Sequence, residues 1–169
     1  MPSQSNGRPL LCEALHDQWR PEQYLSELCH IELASRTDKR QMRYVKESQL
    51  PTGKHLGGFD FTAIEGLNKA RIHELADNHD WTRQGANLLL FGASGVGKTH
   101  LASSLGYSLI EAGIRVKFYS VSALFQQLQE AKQSLKLQEA LNKLDKYPAL
   151  IIDDIGYVKK NGTRKQCAV

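Results

Sequence analysis

Gly92-Ala93-Ser94-Gly95-Val96-Gly97-Lys98-Thr99 is a complete phosphate-binding loop pattern, two glycines flanking four residues and followed by lysine and a hydroxyl. The apolar run Leu88-Leu89-Leu90-Phe91 precedes it, and a helical pattern starts at His100. In such a loop successive backbone N–H groups turn inward to cradle a β-phosphate, the lysine reaches the β/γ oxygens, and the hydroxyl ligates Mg²⁺. Gly92 and Gly97 stand where backbone must curl or approach a phosphate with no Cβ in the way, and the following helix aims its positive dipole end at the anion. A chance glycine-rich turn would produce this pattern in roughly one chain in a few hundred. The apolar run before it and the helix after it reduce that further.

A loop that holds phosphates needs a carboxylate for the metal. Ala149-Leu150-Ile151-Ile152-Asp153-Asp154 offers one at the end of an apolar run, which predicts a strand buried on both faces of a parallel sheet. Asp153 is the expected Mg²⁺ ligand, directly or through water, and Asp154 the candidate base that polarises an attacking water. A single acid at a strand end is as readily a solvated cap. Two adjacent acids downstream of a full phosphate loop favour the metal and hydrolytic roles.

The 169 residues carry a net charge of +4, which permits nucleic-acid binding without requiring it. Cys12, Cys29 and Cys167 are few, odd in number and far apart, so neither a disulfide framework nor a zinc site is expected, and a reducing cytoplasm is the natural compartment. The first residues lack the apolar core of a signal peptide, and no stretch has the length to cross a bilayer.

Residues 1 to about 9 are expected to be disordered, followed by helix to roughly Glu47. Leu10, Leu11, Ala14 and Leu15 suit a first short helix. Pro21 favours the first turn of a second, in which Tyr24, Leu25, Leu28 and Ile31 form one face. Arg36, Lys39, Arg40, Arg43 and Lys46 then recur at three- and four-residue steps as a basic stripe. Such a stripe is commonly a solvated face. The alternative is a set of phosphate contacts with DNA, giving sequence-independent, salt-sensitive affinity.

Leu50-Pro51-Thr52-Gly53 breaks the helix and opens a linker, dividing the chain into a helical extension over 1–55 and a nucleotide-binding domain over 56–169. Within the latter, a helix is expected from about Leu67 to Asn78 with Ala70, Ile72, Leu75 and Ala76 inward. Phe59 and Phe61 could face a base but equally suit a core. His73 and His79 read as structural or solvated, because no second ligand pair has metal spacing. Beyond the loop, a helix to about Ala112 closes at Gly113, Arg115 to Tyr119 alternates like a strand, and Ser120 or Ser122 caps the next helix. Leu137, Leu141 and Leu144 mark a further one before the acidic strand. The expected fold is α/β, a P-loop parallel sheet flanked by helices, with an N-terminal helical extension.

The loop followed by His100-Leu101-Ala102, the spacing to Leu150-Ile151-Ile152-Asp153-Asp154-Ile155-Gly156-Tyr157, and the upstream Tyr24-Leu25 and Phe59-Asp60-Phe61 segments resemble the IstB-type helper ATPases of insertion sequences. Those are related to the DnaC helicase loaders within the AAA+ class. The resemblance covers about residues 20 to 158. It implies an ATP-dependent, DNA-binding, self-assembling helper that serves a transposase and presents target DNA to it; the alternative is a replication helicase loader with the same engine. It implies a nucleotide site of Gly92, Ala93, Ser94, Gly95, Val96, Gly97, Lys98, Thr99 and His100, Mg²⁺ on Thr99 and Asp153, and Asp154 in the hydrolytic position. The basic stripe would serve DNA or a partner, and the helices between Ser122 and Lys146 would serve assembly. In that class a further strand separates the loop strand, here expected at Leu88 to Phe91, from the acidic strand, so without it Leu88 to Phe91 would have no proper neighbour and its backbone groups would stay unpaired; a polar sensor and an arginine finger follow.

The polar ending Asn161 to Val169 matches none of these, so a shortened product with little or no hydrolysis of its own is expected. Lys159, Lys160, Arg164 and Lys165 could touch DNA but are more simply a polar ending. A kinase is disfavoured because no arginine set for a small acceptor can be assigned, and a GTPase because no Asn-Lys-x-Asp segment occurs.

Overall fold

The computed structural model describes residues 7–154 apart from 63 and 65. The expectations for residues 1–6, for Ile155 to Lys160 and for the polar ending lie outside these. The chain forms two compact units, a first ending at Arg43 and a second beginning at Tyr44.

In the first unit, α1 runs Gly7–His16 and α2 starts at Pro21, running Pro21–Ser48. Proline suits the first helical position, where its missing N–H is not needed. The Gln23 side chain closes the same end by accepting from the Arg20 N–H at 2.9 Å. Leu25 is exposed, against the inward face expected for it, whereas Tyr24, Leu28 and Ile31 are half-buried. α2 stops where Gln49 turns left-handed at φ 59°. There the buried Ser48 hydroxyl donates to the Val45 carbonyl at 2.8 Å and accepts from the Leu50 N–H at 3.2 Å.

The second unit is built around α5, Lys98–Glu111, which packs between two apolar clusters. On one side lie Phe59, Ile72 and Ala76 with Leu101 and Leu105; on the other, Leu50 and Val116 with Leu109 and Ile110. Leu50, from the segment that breaks α2, is therefore a core residue. α3, Lys69–Asp77, is capped by the Asn68 side-chain Oδ1 accepting from Arg71 N–H. It buries Ile72 and Ala76, but Ala70 is exposed rather than inward, one step off the contact stripe. A short α4, Asp80–Arg83, follows, and Trp81 donates its indole N–H to the Leu75 carbonyl at 3.1 Å.

α5 ends in a Schellman arrangement: Gly113 N–H meets the Ile110 carbonyl and Ile114 N–H the Leu109 carbonyl, both at 2.9 Å. β1, Val116–Ser120, leads directly into α6, Val121–Gln133, capped by Ser120 accepting from Ala123 N–H. α7, Leu137–Leu144, and β2, Ala149–Asp153, complete the described chain. β1 and β2 pair in parallel with Val116 opposite Ala149 and Ser120 opposite Asp153, the two helices making the crossover. Gly106 lets α5 approach the sheet. A Cβ there would sit 2.8 Å from Ile151 Cδ1 and 3.1 Å from Leu50 Cδ2.

In the sheet, the loop run lacks a neighbour among the described residues, as expected where the intervening strand is missing, and the double coverage expected for β2 is corrected. Leu88-Leu89-Leu90-Phe91 forms no strand: it pairs with no described residue, and Phe91 is 87% exposed. A strand is defined by the neighbour that takes its N–H and C=O groups, and β1 and β2 pair only with each other. β2 is also not covered on both faces. Ala149 and Ile151 pack on α5's cluster, while Leu150 and Ile152 point to the other face, 40% and 41% exposed.

Candidate functional site

Lys98 and Thr99 are half-buried in the first turn of α5, with Gly92 to Val96 exposed in front of them. Fourteen aligned peptides end at this point, so unsatisfied N–H groups and the positive end of the helix dipole face the loop. Gly97 holds φ 88°, the left-handed region, and a Cβ there would meet the Phe59 ring at 3.0 Å. Both the turn and the close packing of that ring select glycine. Gly95 is also left-handed, at φ 84°. The Lys98 ammonium donates to the Gly92 carbonyl at 2.9 Å and the Ala93 carbonyl at 2.6 Å, which holds it across the loop mouth.

The two sequence motifs meet through one hydrogen bond. Thr99 Oγ1 donates to Asp153 Oδ2 at 2.7 Å, across 54 positions of chain. Behind it, Ser103 Oγ donates to the Thr99 carbonyl at 2.6 Å. Parallel pairing of β1 and β2 carries Asp153 to the end of the sheet at which α5 begins. Asp154, the next residue, is exposed and left-handed at φ 62°, a conformation that Asp tolerates better than most side chains. It makes no hydrogen bond among the described residues, so the structure brings Asp153, but not Asp154, into contact with the loop.

His100 stands at the loop's flank. Its ring meets Phe59 edge-on at 5.3 Å, and its Nε2 lies 3.1 Å from the His55 carbonyl. Phe59 is thus a core residue beneath the loop. Phe61 sits edge-on to Phe59 at 4.9 Å and stacked with His73 at 5.7 Å, with the Lys69 ammonium 5.5 Å from its centroid. Sequence reasoning weighed these aromatics but could not place Phe59 against Gly97, because that contact spans 38 positions with no local periodicity. Among the described residues no group of three or more His, Cys, Asp and Glu side chains is arranged to hold a metal.

The residues present fit a Mg²⁺-bound nucleoside triphosphate. Thr99 and Asp153 bring a hydroxyl and a carboxylate within 2.7 Å of each other, both hard oxygen donors of the kind Mg²⁺ prefers. The left-handed glycines, the start of α5 and the Lys98 ammonium form the cradle.

On α2, Arg36, Lys39, Arg40, Arg43 and Lys46 are all exposed. Arg36 Nε donates to Glu32 Oε1 at 2.7 Å, and that hydrogen bond, with the arginine's charge, holds the Glu32 carboxyl below its usual range. Among the described residues no helix is long and apolar enough to cross a membrane.

Residues 9–166 match the family of IstB-like ATP-binding proteins. A protein named as an insertion-sequence ATP-binding protein in Sinorhizobium fredii is 42% identical over 149 residues, which are 88% of this chain and 50% of that protein. An IS21 ATP-binding protein of Pseudomonas aeruginosa is 35% identical, covering 92% of this chain and 53% of its own length. An IS5376 ATP-binding protein of Geobacillus stearothermophilus is 36% identical over 81% of this chain and 54% of its own length. The chain spans about half the length of these relatives. A match that spans the phosphate loop and the acidic strand assigns the chain to the IstB-like ATP-binding protein family.

Proposed function

We propose that the chain is the ATP-binding part of a transposition helper, taking ATP with Mg²⁺ at Gly92 to His100 and Asp153, and acting with a transposase on duplex DNA. The observation that carries the nucleotide reading is the Thr99–Asp153 hydrogen bond, which joins phosphate loop and acidic strand into one site. The insertion-sequence names of the relatives support the biological setting.

In this reading the loop N–H groups and the α5 N-terminus bind the β-phosphate, and Lys98 exchanges its loop carbonyls for β/γ oxygens. Thr99 and Asp153 would hold Mg²⁺, which when bound screens the triphosphate charge. Asp154, exposed beside Asp153, would orient the water that displaces ADP from the γ-phosphoryl group. The stripe of Arg36, Lys39, Arg40, Arg43 and Lys46 would contact DNA phosphates without reading sequence, and self-assembly on DNA would use several copies.

Nucleotide binding is tested by thermal unfolding with and without Mg-ATP. A ligand that binds only the folded chain stabilises it by about 2.7 kcal/mol at a hundredfold excess over Kd. The parent should show that gain and Lys98→Ala should lose it. Equal stabilisation of both chains would place the nucleotide elsewhere.

A further inference from the structure

β1 and β2 both begin at the end of the sheet away from the phosphate loop. The segments leading into them, through Gly113 to Arg115 and through Lys146 and Pro148, line a cleft of about 340 Å³ together with Tyr44, Thr82 and Arg83. Five-residue strands put roughly 16 Å between this cleft and Asp153, so it is separate from the loop.

Its chemistry is one-sided. Arg83, Arg115 and Lys146 line it, and no carboxylate does. Arg115 lies over the Tyr147 ring at 4.8 Å and 5.9 Å from the Tyr44 centroid. One end of its guanidinium donates to Glu47 at 3.1 Å, while its Nε is buried with no acceptor. Arg83 is mostly exposed, with only a loose approach to Asp80 at 3.8 Å, and Lys146 has no ion pair among the described residues. Three cations against those two carboxylates leave positive charge at the rim. Tyr44, Ile114 and Pro148 add apolar and aromatic surface to the lining. A lining that joins cations to apolar and aromatic surface matches a phosphate joined to a planar base, since phosphates take charge-assisted hydrogen bonds and every base presents a π-face.

We propose that this cleft binds one nucleotide unit of a nucleic-acid strand, its phosphate against Arg83, Arg115 and Lys146 and its base against Tyr44 and Pro148. The inference rests on the reading of the chain as a DNA-associated protein, and adds to the duplex contacts of the α2 stripe a separate contact for an unpaired nucleotide. The cleft's position leaves the phosphate loop free, so strand and ATP can be held together.

The test is an NMR titration of the full chain with 5′-phosphorylated trithymidylate and, separately, inorganic phosphate, following the arginine Nε–H signals. The expected result is a saturable shift of the Arg115 and Arg83 signals, with the trinucleotide bound at least about tenfold more tightly than phosphate because stacking adds to the charge contacts. Arg83→Gln with Lys146→Gln, both on the exposed rim, should weaken it by about tenfold or more. No saturable shift overturns the proposal, and so does phosphate binding as tightly as the trinucleotide. Binding of a long duplex, measured in parallel by fluorescence anisotropy on the parent and on Lys39→Gln/Arg40→Gln, reports separately on the α2 stripe. Failure of one reading is therefore visible without failure of the other.

Discussion

At Gly97 backbone and packing make the same demand. Gly97→Ala would put a Cβ at φ 88° and 3.0 Å from the Phe59 ring, so strain of about 1–2 kcal/mol adds to a displaced core ring. Urea unfolding should show that loss, and the variant should bind ATP more weakly because the ring supports the loop. Gly106→Ala tests packing alone. Its Cβ would lie 2.8 Å from Ile151 Cδ1, and overpacking of that kind costs about 1–3 kcal/mol. A drop in the urea midpoint with ATP affinity retained is the expected outcome. The loop residues were legible in the sequence because their chemistry is local. Phe59 as the loop's support was not, because nothing in Phe59-Asp60-Phe61 says which ring goes inward.

Among the elements, β1 carries an unusual pair of neighbours. Burial holds the Lys117 ammonium below its ordinary value, opposed by the charge of Glu47, whose backbone carbonyl it also meets at 2.9 Å. Burial also raises the Tyr119 hydroxyl. Between the lowered folded value of Lys117 and 10.5, the folded chain binds fewer protons than the unfolded one, so the Lys117 contribution to stability rises with pH. Tyr119 acts oppositely above 10.0, where the folded chain keeps a proton the unfolded chain loses. The parent should therefore gain on Lys117→Met as pH rises toward 10.5, measured as the difference in urea midpoints. α6 offers a simpler prediction. Ser120→Ala removes the acceptor for Ala123 N–H and should destabilise by about 1 kcal/mol. Helices at this scale were readable from period and caps: Pro21 opening α2, Gly113 closing α5 and Ser120 opening α6 stand where sequence chemistry puts them. Inward faces were less so, since Leu25 and Ala70 fit the pattern yet lie exposed.

For the whole molecule, apolar surface gathers at the loop run and the outer face of β2. Leu89 is 65% exposed and Phe91 87%, and on β2 Leu150 and Ile152 are 40% and 41% exposed. Unpaired backbone next to such side chains favours association with another chain. The 169-residue chain should self-associate as concentration rises, and Leu89→Lys/Phe91→Lys should suppress this in sedimentation velocity without lowering the thermal midpoint. Unchanged association would locate the contact elsewhere.

What the amino-acid order settled was whatever depends on near neighbours in the chain: a glycine-rich loop before a helix, acids ending an apolar run, caps at helix ends, and a crossover of two helices between strands. Steric limits on φ and ψ, and hydrogen bonds spanning a few residues, act over that distance. Only the tertiary structure decided that Phe59 lies under Gly97, that Leu50 joins the core against α5, and that one face of β2 stays open while the other is covered. Each depends on whether groups tens of residues away supply a surface, and no periodicity within a segment encodes which distant partner it finds.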